Sequence, residues 1–298
     1  MDREQWLAER KTGLGGSDSA AALGQSAHKT QYELFLEKKN VLVDDPAENK
    51  EVVAWGRLME DVIANRYAEV HGVSLRRRNG IIRHPKYPWM IANVDRVITG
   101  QHKGFEAKNV GYQAHRMGDW GPAGSDEVPV EYALQCHHYM TVLDYPVFDL
   151  AACVGGNTLA VYTIEADAEL REMIIENERV FWEQHVLANV PPPIDFDHAS
   201  TPKLLKRLHP GTNGERIVLD EKLRPYVETL LSEMEIRKQA DAAIETCKAR
   251  IAAAMEDAAV GVVDGIGEVH RKLIKKKGFT VDPTEYVDMR IKHPKEPA

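Results

Sequence analysis

The chain has 298 residues, enough for one large domain and an appendage, and an ordinary apolar content of 43%. Its 46 acidic and 38 basic residues leave a formal net charge of −8, which argues against a protein that coats nucleic acid indiscriminately but not against an enzyme that gathers carboxylates. Three scattered cysteines (Cys136, Cys153, Cys247) argue against a disulfide framework or a zinc ribbon and exclude a four-cysteine iron–sulfur cluster within one chain. With no leader-like start and no long apolar run, the expectation is a soluble, cytoplasmic protein.

Helices are expected near residues 3–11, 17–24, 30–39 and 51–72. The first meets a glycine turn, Gly13-Leu-Gly-Gly16, after which Ser17 or Asp18 caps the second. Glycines before a helix start let backbone N–H groups face an anion, and Arg10 just upstream adds a fork that suits phosphate. The plain alternative is a capped helix after a turn. The nucleotide-binding pattern Gly-x-x-x-x-Gly-Lys-Ser/Thr is absent. In the fourth helix, Leu58, Met59, Val62, Ile63 and Tyr67 fall at helical spacing, so Glu60 sits early and close to the apolar stripe. A surface glutamate favoured near a helix N-terminus is the alternative. The basic clusters Arg76-Arg-Arg78 and Lys275-Lys-Lys277 read as solvated faces.

Strands are expected near 80–83, 90–98 and 104–110, and they hold the most informative residues. Met90 to Ile98 is apolar around Asp95. After a turn with Gly100 and Gly104, Phe105-Glu-Ala-Lys-Asn-Val110 opens a partner strand. Side chains alternate across a strand, so Glu106 and Lys108 share a face, and Asp95 joins them across the hairpin. Two carboxylates and an ammonium suit Mg²⁺, with Mn²⁺ as a substitute, and a polarised phosphodiester. Asp95 and Glu106 supply charged ligands, and the Ala107 carbonyl supplies a neutral one. Lys108 either handles the attacking water or neutralises charge in the transition state. A surface hairpin with a Glu–Lys pair is the alternative, weakened by Ile91, Val94, Val97 and Phe105, because a carboxylate inside a core needs a partner.

Residues 112–129 read as a loop rich in glycine and proline, and 130–143 as a helix. In that helix Gln135 needs a polar target among apolar Tyr132, Leu134, Cys136, Tyr139, Met140 and Leu143. His137 and His138 are adjacent, about 100° apart on a helix, and do not suit one shared metal. A strand hairpin around Gly155-Gly-Asn157 (148–154 and 159–164) and a helix near 167–188 lead to Pro191-Pro-Pro193. The domain reading is 1–195 for the main domain, 196–219 for a linker and 220–298 for an extension. In the extension Asp220 caps a long helix with Pro225 in its first turns. Leu223, Leu230, Ile244 and Ile251 fall on one seven-residue series and Val227, Met234 and Met255 on another, interrupted by Arg237, Asp241 and Lys248. A coiled coil of this helix alone would be weak, and packing on the main domain, a neighbouring subunit or the following hairpin is expected. A small β unit from Glu268 and a short helix near 283–287 close the chain.

Taken in order, these segments resemble the YqaJ-type viral recombinases, the family of phage lambda exonuclease within the PD-(D/E)xK nuclease superfamily. The resemblance covers about Gln5 to Pro193. It rests on Trp6, Arg10 and Ser17 with Gly-Gly-Ser-Asp, on Gly56 to Glu60, on Asp95 with Glu106-Ala-Lys108, on Gln135, and on Gly155-Gly156, Phe181-Trp182 and Pro191-Pro-Pro193. Asn93-Val94 precedes Asp95 where the superfamily nominally has proline, which is not chemically required. The resemblance implies an α/β (α+β) restriction-endonuclease-like core, a mixed sheet flanked by helices, with a long helix and small β unit appended. It implies a Mg²⁺-dependent exonuclease that degrades the 5′-ended strand of linear double-stranded DNA and leaves a 3′ overhang for a phage single-strand annealing protein. It further implies a homotrimeric ring around DNA in a bacterial host cell. By carry-over, Asp95 and Glu106 bind metal, Lys108 serves the water, Glu60 and Gln135 lie in the active site, and Arg10 and Ser17 bind the 5′ phosphate. The alternatives are an endonuclease of the same fold and a DNA-binding or assembly module that no longer cuts.

Overall fold

The structure, a computed structural model, describes residues 3–42, 50–78 and 80–275, with Val287 and Ile291. Contacts divide the chain into two units, residues 1–208 and 209–298.

The first unit begins with α1 (Arg3–Arg10), α2 (Gly16–Ala22), α3 (Gln31–Lys38) and α4 (Lys50–His71), each end within two residues of its expected position. Strands β1 (Leu75–Arg76), β2 (Ile82–Arg83), β3 (Ile91–Ala92), β4 (Arg96–Ile98) and β5 (Lys103–Val110) follow, then α5 (Tyr112–Met117), α6 (Val130–Leu143), β6 (Val147–Val154), β7 (Thr158–Glu165) and α7 (Ala168–Val180). A mixed sheet has the order β1-β4-β5-β6-β7, and β2 pairs with β3 separately. Only the central pair, β5 with β6, is parallel, in register from Lys103 opposite Val147 to Val110 opposite Val154. Parallel neighbours need a long crossover, and residues 111–146 supply it with α6 laid on the sheet.

The period of two along the strands sorts their side chains between two cores. On one face Phe148, Leu150 and Ala152 of β6 meet Leu134, Cys136, Tyr139 and Met140 of α6. On the other, Phe105 and Ala107 of β5 and Ala151 of β6 meet Ile63, Ala64 and Tyr67 of α4. Glu106 and Lys108 therefore project toward α6. Gly104 belongs to β5 rather than to the turn before it. A Cβ there would lie 1.9 Å from the Phe148 ring, so the missing side chain makes room for a fully buried aromatic.

Several expectations are redrawn. The single strand 90–98 is two short strands with different partners, broken at Asn93–Asp95. The glycine-rich stretch after β5 begins with the helix α5, none of whose residues is buried. Helix α7 passes into a π-helical stretch, Phe181–Leu187, that buries Phe181, Trp182 and Val186. The N-cap of α2 is Gly15, and Asp18 reaches back to accept from its N–H at 3.0 Å. Within 196–219, Thr201–Leu208 forms a helix, α8, whose Leu204 packs with Leu14, Leu34, Phe35 and Phe181.

In the second unit, Asp220 accepts from the N–H of Lys222 and caps a 3₁₀ turn that leads into α9 (Arg224–Met255). A hairpin of β8 (Val260–Val263) and β9 (Gly267–His270) follows, with Met255 against Gly261. The short helix expected near 283–287 falls, Val287 apart, outside the described residues. Among the described residues no helix is long and apolar enough to cross a membrane.

Candidate active site

The site grows from the break between β3 and β4. The β4–β5 register continued by two residues would pair Val94 with Ala107, but the chain leaves the sheet there. The Ala107 N–H instead donates to Asp95 Oδ2 at 3.0 Å, so a carboxylate takes the place of a strand partner. Arg96 secures the bend by donating to the Asp95 carbonyl at 2.7 Å and by pairing with Asp61 of α4. In a strand a residue's N–H and C=O face the same edge, so the Ala107 carbonyl is on the edge that Asp95 occupies.

Across from this bend stands a polar triangle of buried Glu106 and Gln135 with half-buried Lys108. Lys108 Nζ donates to Glu106 Oε1 and to Gln135 Oε1, both at 2.9 Å, and Gln135 Nε2 donates to Glu106 Oε1 at 2.7 Å. Every hydrogen bond to the Glu106 carboxylate reaches one oxygen, and Oε2 is buried with no partner among the described residues. A buried carboxylate oxygen without a donor is costly and calls for an explanation. Burial pushes the Glu106 carboxyl up to about 7, and the charge of Asp95 and, less strongly, Glu60 adds to that against Lys108. Asp95 is raised as well, by burial, against the Ala107 N–H, Lys108 and Arg96. Burial alone would lower Lys108, but Glu106 and Asp95 bring it above its usual value, so it stays an ammonium.

Glu60, on α4, is half-buried and raised by burial and by the charge of Asp95. It borders the cluster without a direct bond to it. Among the described residues no three His, Cys, Asp or Glu side chains converge tightly enough to hold a metal. The donor set is therefore two carboxylates with a main-chain carbonyl. That set suits a hard divalent cation, which often takes one or two protein carboxylates and fills its remaining positions with water and phosphate oxygens. The orphaned Oε2 of Glu106 and the mutual repulsion of the acids fit such an ion.

Two tyrosines of α6 join the site although their pattern reads as core. The Lys108 ammonium lies 4.9 Å from the ring centroid of Tyr132, and Gln135 Nε2 donates to the Tyr139 hydroxyl at 3.2 Å. Tyr132, Gln135 and Tyr139, at i, i+3 and i+7, share one helix face, which is the signal that would have found them.

Tyr139 also borders a cleft lined by Trp6, Arg10, Gly15, Gly16, Ser17 and Asn93. Arg10 Nη2 donates to Ser17 Oγ at 2.6 Å, and its guanidinium lies 5.3 Å from the Trp6 ring centroid. Gly16 permits this approach, since a Cβ there would lie 2.6 Å from the Tyr139 ring. Asp18 beside them is buried and would be raised by that burial, but Lys38 at 2.6 Å and Arg10 hold it well below the usual range. The two sequence-predicted groups, Asp95-Glu106-Lys108-Gln135 and Arg10-Ser17, thus meet through Tyr139.

His137 and His138 do not share a ligand. His138 is fully buried, with Nδ1 at 2.8 Å from Glu178 and Nε2 at 2.9 Å from the Ile91 carbonyl. With acceptors on both nitrogens it is a protonated strut, raised by Glu178 against burial.

A family model for the YqaJ-like viral recombinase domain matches residues 5–146. The Bacillus subtilis (strain 168) protein YqaJ, itself uncharacterized, is 32% identical over 265 residues, which cover 88% of this chain and 81% of that one. Among solved structures, the alkaline exonuclease LHK-Exo from Laribacter hongkongensis is similar with a TM-score of 0.49 at 18% identity, covering 63% of this chain and 94% of that chain. A phage related exonuclease from Haemophilus somnus 129PT gives a TM-score of 0.45 at 11% identity, covering 59% of this chain and 95% of that chain. Both scores are under 0.5, and neither structure assigns a role to any residue here.

Proposed function

The chain belongs to the family of the YqaJ-like viral recombinase domain, and on that premise we propose that it is a Mg²⁺-dependent 5′→3′ exonuclease of linear double-stranded DNA. The 3′ overhang it leaves would pass to a phage single-strand annealing protein. The observation that carries this reading is the buried Glu106 carboxylate. One of its oxygens is shared by Lys108 and Gln135, and the other has no partner among the described residues and lies within the field of Asp95.

Asp95, Glu106 and the Ala107 carbonyl would hold the cation, Mg²⁺ or Mn²⁺. When bound it supplies Lewis-acid polarisation of the phosphodiester and lowers the pKa of water. The remaining work falls to the chain. Lys108 arrives already charged and is fixed by Glu106, Gln135 and the Tyr132 ring, so its role is to orient water and offset phosphate charge rather than to remove a proton. Gln135 fixes the Lys108 ammonium through its oxygen and Glu106 through its nitrogen. Glu60 adds negative potential beside Asp95. Arg10 and Ser17 would take the 5′ phosphate in the neighbouring cleft and set the distance from strand end to scissile bond. A homotrimeric ring around the duplex belongs to the same proposal.

The test is digestion of a linear duplex labelled at either the 5′ or the 3′ end, with and without Mg²⁺. The expected result is early release of the 5′ label, only with the ion, and no attack on closed circular plasmid. Cation-independent digestion or cleavage of closed circles would overturn the proposal. Lys108→Ala should lower the rate by roughly a thousandfold while leaving end binding intact. Arg10→Ala should erase a preference for 5′-phosphorylated over 5′-hydroxyl ends, as seen in paired rate measurements.

A further inference from the structure

The second unit carries α9, a helix of 32 residues and roughly 48 Å. Among the described residues of that unit, it meets the turn before it and, through Met255, the hairpin after it. Along the rest of its length Leu230, Met234, Ile244 and Ile251 are exposed and Val227 is half-buried. These side chains lie on two interleaved seven-residue series: Val227, Met234, Asp241 and Lys248 on one, and Leu230, Arg237, Ile244 and Ile251 on the other. That is the seam of a two-stranded coiled coil with three charged positions in it.

The charges decide the partner and its direction. A parallel pair of identical helices would set Arg237 on Arg237, Asp241 on Asp241 and Lys248 on Lys248. An antiparallel pair brings the two series together across the seam, and one register satisfies every layer. Val227 then faces Ile251, Leu230 faces Lys248, Met234 faces Ile244, and Arg237 faces Asp241. Each layer occurs twice about a two-fold axis, as an isologous contact requires. Lys248 opposite Leu230 lays its stem on the leucine while its ammonium stays outside, where it already pairs with Glu245 at 2.8 Å. Arg237 and Asp241 lie 3.8 Å apart within one helix, so the two copies would bring four alternating charges together at the centre. Polar layers of this kind cost stability and fix register.

We propose that α9 pairs antiparallel with α9 of a second copy of this chain, in the register that sets Arg237 opposite Asp241. The contact stands apart from the exonuclease reading. It doubles whatever assembly the first unit makes.

The experiment uses the full chain, with mass measured by light scattering and sedimentation over a dilution series. The wild type should run at an even multiple of the 33.5 kDa chain. Arg237→Asp, which sets like charges against each other, should raise the concentration for half-assembly at least about tenfold and halve the mass below it. Asp241→Arg should do the same. The double variant Arg237→Asp/Asp241→Arg restores opposite charges only if both partners carry both changes, and it should return the midpoint to within about threefold of wild type. A helix docked on its own first unit, or on a different protein, would not be rescued, because its counterpart is unchanged. An unaltered mass in the single variants, or no recovery in the double, overturns the pairing. Far-UV circular dichroism confirms that α9 remains helical in each variant.

Discussion

Asp149 and Glu106 are buried carboxylates on adjacent central strands, and their surroundings differ in one respect. Asp149 is fully provided for: Oδ2 accepts from the Tyr67 hydroxyl and forms an ion pair with Lys103 Nζ at 2.7 Å, and Oδ1 accepts from the Thr163 hydroxyl at 2.7 Å. The Tyr67 hydroxyl is correspondingly raised, by burial first and then by Asp149. Among the described residues Glu106 has two donors on one oxygen and none on the other, with acids for neighbours. A carboxylate with both oxygens satisfied fastens α4, β5, β6 and β7 together. One with an oxygen left bare is a stability cost that the fold carries for a ligand. His138 with Glu178 belongs to the first kind.

The sharpest way to break this contrast is Asp149→Ala. It strands the Tyr67 hydroxyl, Lys103 and Thr163 at once, and removing one partner of a buried ion pair leaves the other charge uncompensated. The expected loss is about 3 kcal/mol in urea unfolding. Protein that remains folded at low temperature should keep its specific activity. A loss under about 0.5 kcal/mol, the scale of an ordinary surface substitution, would mean that Asp149 does not fasten the sheet.

Glu106→Gln should have the opposite sign, and only at high pH. The folded-state carboxyl is raised from 4.5 to about 7, so between those values the folded protein keeps a proton that the unfolded chain has lost. Stability therefore falls as pH rises through this window and stays lower above it. Glutamine does not ionise and is spared the loss. In chelator, Glu106→Gln should gain on the order of 2 kcal/mol over wild type at pH 8 and little at pH 5. Mg²⁺ should narrow the gap by stabilising wild type alone. A variant that is less stable than wild type at pH 8 would show Glu106 to be held like Asp149.

The sequence exposed these two acids unequally. Glu106 and Lys108 are two apart in a strand, so their common face follows from chain geometry, and Asp95 lies in an apolar run one turn away. What that run concealed is the break at Asn93–Asp95: hydropathy marks Met90 to Ile98 as buried but does not say that Ile91 pairs with β2 and Val97 with β5. Asp149 is a lone acid in Val147–Val154, and its partners come from Tyr67, Lys103 and Thr163, brought together only by the sheet. Asp18 shows the limit at short range, since a capping residue and one reaching back from the third helical position look alike in a Gly-Gly-Ser-Asp string. Tyr132 and Tyr139 were legible in spacing but not in kind, because tyrosines on an amphipathic face read as core until Lys108 and Gln135 are seen beside them.

Tyr132 gives the finest test of the contrast, because it touches the unsatisfied site without a hydrogen bond to it. The ring faces the Lys108 ammonium at 4.9 Å and packs on Trp120 with centroids 5.4 Å apart. A cation on an aromatic face in a partly desolvated site is worth about 1–2 kcal/mol. If the ring restrains Lys108, Tyr132→Leu should lower kcat about tenfold with KM and thermal stability nearly unchanged, since the ammonium keeps Glu106 and Gln135 but gains freedom to swing. Tyr132→Phe keeps the face, removes only the hydroxyl and should restore the rate. Equal loss in both variants would move the role from the ring to the hydroxyl. A parallel fall in melting temperature would assign Tyr132 to packing, on the same side of the contrast as Asp149.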